Sequence, residues 1–227
     1  MGVTFASLVE RGYPVFALDD LAGEAARKLA DGGFSAAPVL DGDRYSGMVT
    51  LAALLEGRKG WPSPKALVRS VRVEPVPGFS MEAQLLDNIS AVAAVESEII
   101  ALLDDQMRYA GVVRKRAIFQ VLALRFHTGE GGATLEIEVP PPGVRLSEMI
   151  AALEKNDASV RSYSSMPSGA TGEGQILSFR VVTHDFFRLV RNMEKYGYLI
   201  SYHSPFPDVG YDEMREKALE FIRYMDM

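Results

Sequence analysis

Three consecutive cations, Arg114-Lys115-Arg116, stand where an apolar strand-like run gives way to helical spacing. Positive charge at a helix start opposes the macrodipole, costing about 0.3–1 kcal/mol per charge unless an anion is near. An anion placed there gains from both the charges and the free first-turn amides. The chemistry these residues suit is capture of a phosphate or carboxylate; three solvated side chains pointing apart are the alternative. Thr50 opens an earlier helix with a hydroxyl suited to capping free amides. Other chemistry has less material. The chain has no cysteine, which removes disulfides, thiolate catalysis and thiolate metal sites together. His127, His184 and His203 fall in separate elements without metal-ligand spacing, and His184 reads as a helix cap or surface residue. The glycine-rich pieces Gly129 to Gly132 and Gly169 to Gly174 lack a following Lys-Ser/Thr and read as linkers. No nucleophile–base pair, paired-carboxylate motif or cofactor fingerprint stands out, so an enzyme is not expected.

Composition narrows the setting. The chain has 227 residues, 48% hydrophobic and 24% charged, enough for one large or two modest domains with their own cores. A formal net charge of -6 argues against a general nucleic-acid or anionic-membrane surface. Met1 to Leu8 lacks a basic head and apolar run, and no stretch approaches the ~18 apolar residues of a membrane helix. A cytoplasmic protein is expected.

The elements that must position Thr50 and Arg114 are written twice. In the first copy, Val15 to Leu18 reads as a strand, and Leu21 to Ala30 as a helix with Ala22, Ala25, Ala26 and Leu29 on one face. Gly32-Gly33 stops it. Ala36 to Leu40, a turn at Asp41-Gly42-Asp43, and Arg44 to Val49 form a hairpin before the helix Leu51 to Leu55. The second copy begins roughly sixty residues later. Val73 to Val76 is its expected first strand, and Ser80 to about Val95 its helix, with Leu85, Leu86, Ile89, Val92 and Ala93 buried. Ile99 to Leu103 and Tyr109 to Val113 repeat the hairpin, and Arg116 to Leu124 the closing helix. Glu24-Ala25 pairs with Glu82-Ala83, and Gly47 with Gly111. Gly57 to Pro64 is the loop between copies.

After a flexible linker, Thr128 to Gly132, the period changes. Strands at Thr134 to Val139, Val160 to Ser164, Ile176 to Val182 and Tyr198 to Tyr202 alternate with helices. One helix carries Leu146, Met149, Ile150 and Leu153; the other carries Phe186, Leu189, Val190 and Met193 and ends at Gly197. The order β-α-β-β-α-β is the ferredoxin-like plan, giving an α+β protein. A last helix, Tyr211 to Met225, presents an apolar seam for its own domain or a dimer. Domains are expected at 1–127 (repeats about 10–60 and 68–125), a linker at 128–132, 133–204, and a helical tail at 205–227.

Residues about 10 to 125 resemble a pair of CBS domains. Gly33-Phe34-Ser35-Ala36-Ala37-Pro38-Val39 resembles the family's Gly-h-Ser-x-x-Pro-Val segment, and Gly47-Met48-Val49-Thr50 the start of its Gly-h-h-Thr-x-x-Asp segment. In the second copy Gly111-Val112-Val113 matches, while Ala101 stands in place of proline. The resemblance implies a cleft for adenosine derivatives (AMP, ADP, ATP or S-adenosylmethionine). Phe34, Ala36, Ala37 and Pro38 would line the base and Thr50 would face phosphate, with Arg114 and Arg116 as the anion site of the second copy. The aspartate that takes ribose hydroxyls in the family is Ala53 in one copy and Ala117 in the other. An unpartnered ribose hydroxyl costs roughly 1–3 kcal/mol. Residues about 133 to 204 resemble an ACT domain through Val139 to Val144 and Asn156. That resemblance implies an amino-acid site at Gly143 and Asn156, and sheet pairing with another ACT domain. The order of the two parts is similar to stand-alone bacterial CBS–ACT proteins, including the acetoin-utilisation type.

The expected function is non-catalytic regulation. A small anion such as an adenine nucleotide sits between the CBS repeats, no cofactor is required, and the ACT-like domain relays the change, in a homodimer. A ligand-free oligomerisation or interaction scaffold is the alternative.

Overall fold

The computed structural model describes residues 2–56, 65–141, 143–168 and 174–206. It divides into two units, Met1–Leu122 and Ala123–Met227. The inter-repeat loop 57–64, Pro142, most of the Gly/Ser loop at 169–174, and the tail helix Tyr211 to Met225 lie outside the described residues.

In the first unit, β1 (Phe16–Ala17) pairs in parallel with β2 (Ala36–Asp41), and β2 pairs antiparallel with β3 (Arg44–Thr50). Helix α1 (Ala22–Gly32) joins the first two and buries Ala22, Ala25, Ala26 and Leu29, the stripe expected from their spacing. Gly33 terminates it at φ 67, where a Cβ would be penalised, and its amide reaches the Ala30 carbonyl. Helix α2 (Leu51–Leu55) follows β3. The second copy repeats this order with β4 (Phe79–Ser80), α3 (Ile89–Ala94), β5 (Ile99–Leu103), β6 (Tyr109–Arg114) and α4 (Lys115–Arg125). All of β5 is buried: Ile100 and Leu102 face one cluster, Ile99 and Ala101 another shared with Ala37, Val39 and Met48 of the first repeat. A strand enclosed on both faces explains its continuous apolar run.

Two expectations for the second copy are corrected. Its first strand is Phe79–Ser80, not Val73 to Val76, because Phe79 pairs with Leu102 as Phe16 pairs with Val39. Glu74 instead bridges to Met48. The long helix from Ser80 is a 3-10 turn, Leu86–Asn88, followed by the short α3. Leu85 and Val92 are buried, but Leu86 and Ala93 are exposed, and Glu82-Ala83 lies outside any helix. Ser80 is spent on the strand, and Asn88 donates its side-chain amide to the Gln84 carbonyl between the two pieces. A polar residue serving the backbone locally competes with a continuous helix.

The repeats exchange their leading segments. Phe5, in the 3-10 turn Phe5–Leu8 before the first repeat, lies in the second repeat's core with Phe79, Leu85 and Ile100. Val68, in the turn Val68–Ser70 before the second repeat, lies in the first repeat's core with Phe16, Ala26 and Leu29. The backbone bonds are reciprocal: Phe5 N–H donates to the Ala83 carbonyl, and Val68 N–H to that of Asp20. Glu10 bridges to Val112, and Glu74 to Met48. Arg44 bridges antiparallel to Arg108, its own counterpart, as an approximate twofold axis requires.

Near that axis sit Tyr45 and its counterpart Tyr109, whose hydroxyls are buried without a hydrogen-bond partner among the described residues. Burial raises both hydroxyl pKa values, that of Tyr109 to about 12. An unpaired buried hydroxyl forfeits its hydration. Tyr45→Phe and Tyr109→Phe are therefore expected to raise the unfolding free energy by about 1 kcal/mol each, read from the denaturant midpoint.

In the second unit, β7 (Ala133–Val139), β8 (Ser159–Ser168), β9 (Gly174–Val182) and β10 (Leu199–His203) form an antiparallel sheet in the order β10-β7-β9-β8. Helices α5 (Leu146–Glu154) and α6 (Phe186–Lys195) pack Met149, Leu153, Leu189 and Met193 on the face carrying Leu135, Ile137, Phe179 and Val181. Asp185, not His184, caps α6 by accepting from Arg188 N–H. The segment expected to be a flexible linker is pinned. Arg180 donates to the carbonyls of His127 and Glu130, and Ser162 to that of Phe126. A guanidinium fork holding two carbonyls orders a glycine-rich stretch that composition alone would leave loose.

Candidate ligand cleft of the first unit

The hairpin β5–β6 delivers Arg114 at its end, and α4 begins at Lys115, so the three cations do fall at a strand-to-helix junction. They line a cleft of about 540 Å³ with Tyr13, Phe34, Ser35, Glu96, Ser97, Glu98 and Phe119. The segment around Phe34 comes from the end of α1; Glu96 to Glu98 is its equivalent in the second repeat. Ser35 Oγ donates to Glu98 Oε2 at 3.4 Å, so the cleft lies where equivalent segments meet. A smaller depression is lined by Glu10, Arg116, Ala117 and Gln120 and shares Arg114 with the cleft.

The cations are not equivalent. Arg114 makes a fork with Glu10, Nε and Nη2 each 2.8 Å from a carboxylate oxygen. That bond holds the Glu10 carboxyl below its ordinary range. The same guanidinium lies 5.4 Å from the Tyr13 ring centre and 5.7 Å from that of Phe34, and the two rings meet edge-on at 4.8 Å. Lys115 Nζ donates to the Val95 carbonyl. Arg116, exposed in the first turn of α4, has no side-chain partner among the described residues. Phe119, one turn later, is 68% exposed and offers a flat apolar face.

The other residues singled out from sequence are placed as follows. Ala36, Ala37 and Pro38 are buried in β2; Ala37 belongs to the core, and the Ala36 carbonyl accepts the Tyr13 hydroxyl at 3.0 Å. Burial raises the pKa of that hydroxyl, which favours the donor form. Thr50 caps α2 by accepting from Ala53 N–H at 3.0 Å, so its hydroxyl already serves an amide. In the second unit Asn156 is 6% exposed and committed: it donates to the Ala152 carbonyl and accepts from Asn192 at 2.7 Å. Gly143 closes a turn on the Pro140 carbonyl with φ 97. The cleft thus brings together Phe34, Arg114 and Arg116 and leaves the rest elsewhere. Glu10, Tyr13, Glu98 and Phe119 escape sequence reasoning. Glu10 lies 104 residues from Arg114, and no local pattern carries a pairing of that range.

Among the described residues, no group of three His, Cys, Asp or Glu could hold a metal ion, and no helix is long and apolar enough to cross a membrane.

Comparison with known proteins matches residues 6–60 to the CBS domain model. No curated protein matches. Among solved structures, a CBS domain pair/ACT domain protein from Thermotoga maritima is 15% identical with a TM-score of 0.48, covering 54% of this chain and 98% of its own. Protein MJ1004 from Mathanocaldococcus jannaschii is 17% identical with a TM-score of 0.48, covering 67% of each chain. A CBS domain-containing protein of unknown function from Bacillus anthracis is 19% identical with a TM-score of 0.47, covering 54% and 94%. None of these matches indicates a catalytic family. By sequence residues 6–60 match the CBS domain, and the following residues of the first unit repeat the order of elements found there.

Proposed function

We propose that the first unit is a non-catalytic, regulatory ligand-sensing module, and that its ligand is a small anion with a flat apolar part, an adenine nucleotide being the leading class. The observation that carries this reading is the cleft itself. The uncommitted guanidinium of Arg116, in the first turn of α4, lines the same cleft as the rings of Phe34 and Phe119. A helix start supplies free amides to an anion, and an aromatic face accepts a base. S-adenosylmethionine fits the same pattern less well, because its sulfonium would meet the cations. The second unit is read as an ACT-like relay, which its antiparallel order and one-sided helices support. An amino-acid site at Gly143 and Asn156 has less behind it, since Asn156 spends its amide within the fold. The relay is proposed to act on a second copy of the chain, as a homodimer in the cytoplasm.

The test is titration calorimetry and thermal shift with AMP, ADP, ATP and S-adenosylmethionine on the full chain. A saturable shift by an adenine nucleotide is expected. Arg116→Ala is expected to weaken it about tenfold, because it removes one charge-assisted hydrogen bond to the anion. Millimolar ligands that leave the melting point unmoved overturn the reading. A ligand-free scaffold is the second reading. It is favoured by Arg114 and Lys115 already being spent on Glu10 and Val95, and by alanine at positions 53 and 117.

A further inference from the structure

We infer that Glu10 is an internal competitor for the ligand's anionic group and sets the charge selectivity of the cleft. This rests on the cleft being a ligand site, as proposed above.

Glu10 belongs to the segment ahead of the first repeat, yet it is fastened to the second. Its amide donates to the Val112 carbonyl at 2.8 Å, and its carbonyl accepts from Val112 N–H at 3.1 Å. That double bond to β6 sets the side chain opposite Arg114, two residues on, where the carboxylate fills the guanidinium fork at 2.8 Å on both arms. A carboxylate and a phosphate present the same planar pair of acceptors to an arginine, so one fork cannot hold both. The rings of Tyr13 and Phe34 keep the guanidinium beside the cleft whichever anion it holds.

Two properties follow. The Glu10 and Arg114 side chains are 39% and 47% exposed, so the carboxylate can turn to water while the Glu10 backbone stays paired. Exposed ion pairs are weak, so an incoming anion can exchange with Glu10. The Glu10 charge also repels every ligand in proportion to that ligand's own charge. Glu96 and Glu98 line the cleft itself, whereas Glu10 reaches it through Arg114, and all three charges act in the same sense. The cleft as built therefore favours a singly charged group over a polyphosphate, although three cations stand in its wall.

Affinities of adenosine, AMP and ATP for the full chain, for Glu10→Gln and for Glu10→Asp decide the matter. Glu10→Gln is expected to leave adenosine unchanged, to tighten AMP about two- to fivefold, and to tighten ATP more. The gain shrinks as salt is raised. Glu10→Asp, one methylene short of the fork, is expected to tighten AMP while repelling ATP as before. The melting point of each variant without ligand checks that the Val112 pairing survives. Binding of AMP by the unaltered chain with no charge-graded gain in Glu10→Gln overturns the competitor and leaves the ligand site standing. Absence of binding in every variant overturns both.

Discussion

Replacing Gly47 by alanine is expected to lower the unfolding free energy by about 3 kcal/mol or more, and Gly111→Ala by a similar amount. Both glycines sit at the bulge of a hairpin with φ of +153 and +147, a region that residues with a Cβ rarely enter. A Cβ on Gly47 would stand 2.4 Å from the Glu74 carbonyl oxygen. On Gly111 it would stand 2.9 Å from that of Glu10 and 2.6 Å from a Val9 methyl. The oxygen in each case belongs to an exchanged segment, held to the neighbouring strand residue, Met48 or Val112, by two backbone bonds. Relief of the clash must therefore break the bridge between repeats. Equilibrium unfolding in denaturant reads the loss. Should either variant keep its stability within about 0.5 kcal/mol, the exchange described at that hairpin is wrong.

The second large effect is expected at Phe5. Phe5→Ala should cost about 3–5 kcal/mol, the range for emptying a buried aromatic site. Phe5 has no exposed surface, and its ring lies 5.7 Å from that of Phe79 in the second repeat's core. Its backbone is fixed by the Ala83 carbonyl, so the site cannot close by simple retreat of the segment. Near-ultraviolet circular dichroism with denaturant unfolding measures it. A loss below about 1 kcal/mol would place Phe5 outside that core.

What the sequence discloses and withholds follows from the range of each interaction. The α1 stripe, the cap at Gly33, the hairpin turns and the Thr50 cap depend on neighbours within one turn, and all are legible. The first strand of the second copy is misplaced by its pattern because Val73 and Val76 supply the β-branched residues in that stretch, whereas the strand that forms is two residues held by one parallel neighbour. The α3 region misleads for a related reason: Leu85, Leu86, Ile89 and Val92 have helical spacing, but the chain breaks at Asn88 and turns Leu86 outward. In the cleft, the clustered cations and Phe34 can be read directly. Their pairing cannot, since Glu10 reaches Arg114 from 104 residues away and Val95 reaches Lys115 from 20, both beyond any local pattern. Asn156 shows the same limit in the second unit, where its partner Asn192 comes from another helix.

The exchanged turns at Phe5 and Val68 have a consequence for dissection of the chain. The stretch matched as one CBS domain begins at residue 6, inside a turn whose aromatic anchor serves the other repeat, and stops before Val68, which fills its own interior. A fragment cut at those limits would be a half-lock without its bolt, exposing the groove that Val68 closes. Halves that keep Phe5 with the first repeat and Val68 with the second would instead be complementary fragments, each carrying the piece the other lacks. The indivisible folding element of the first unit is the pair.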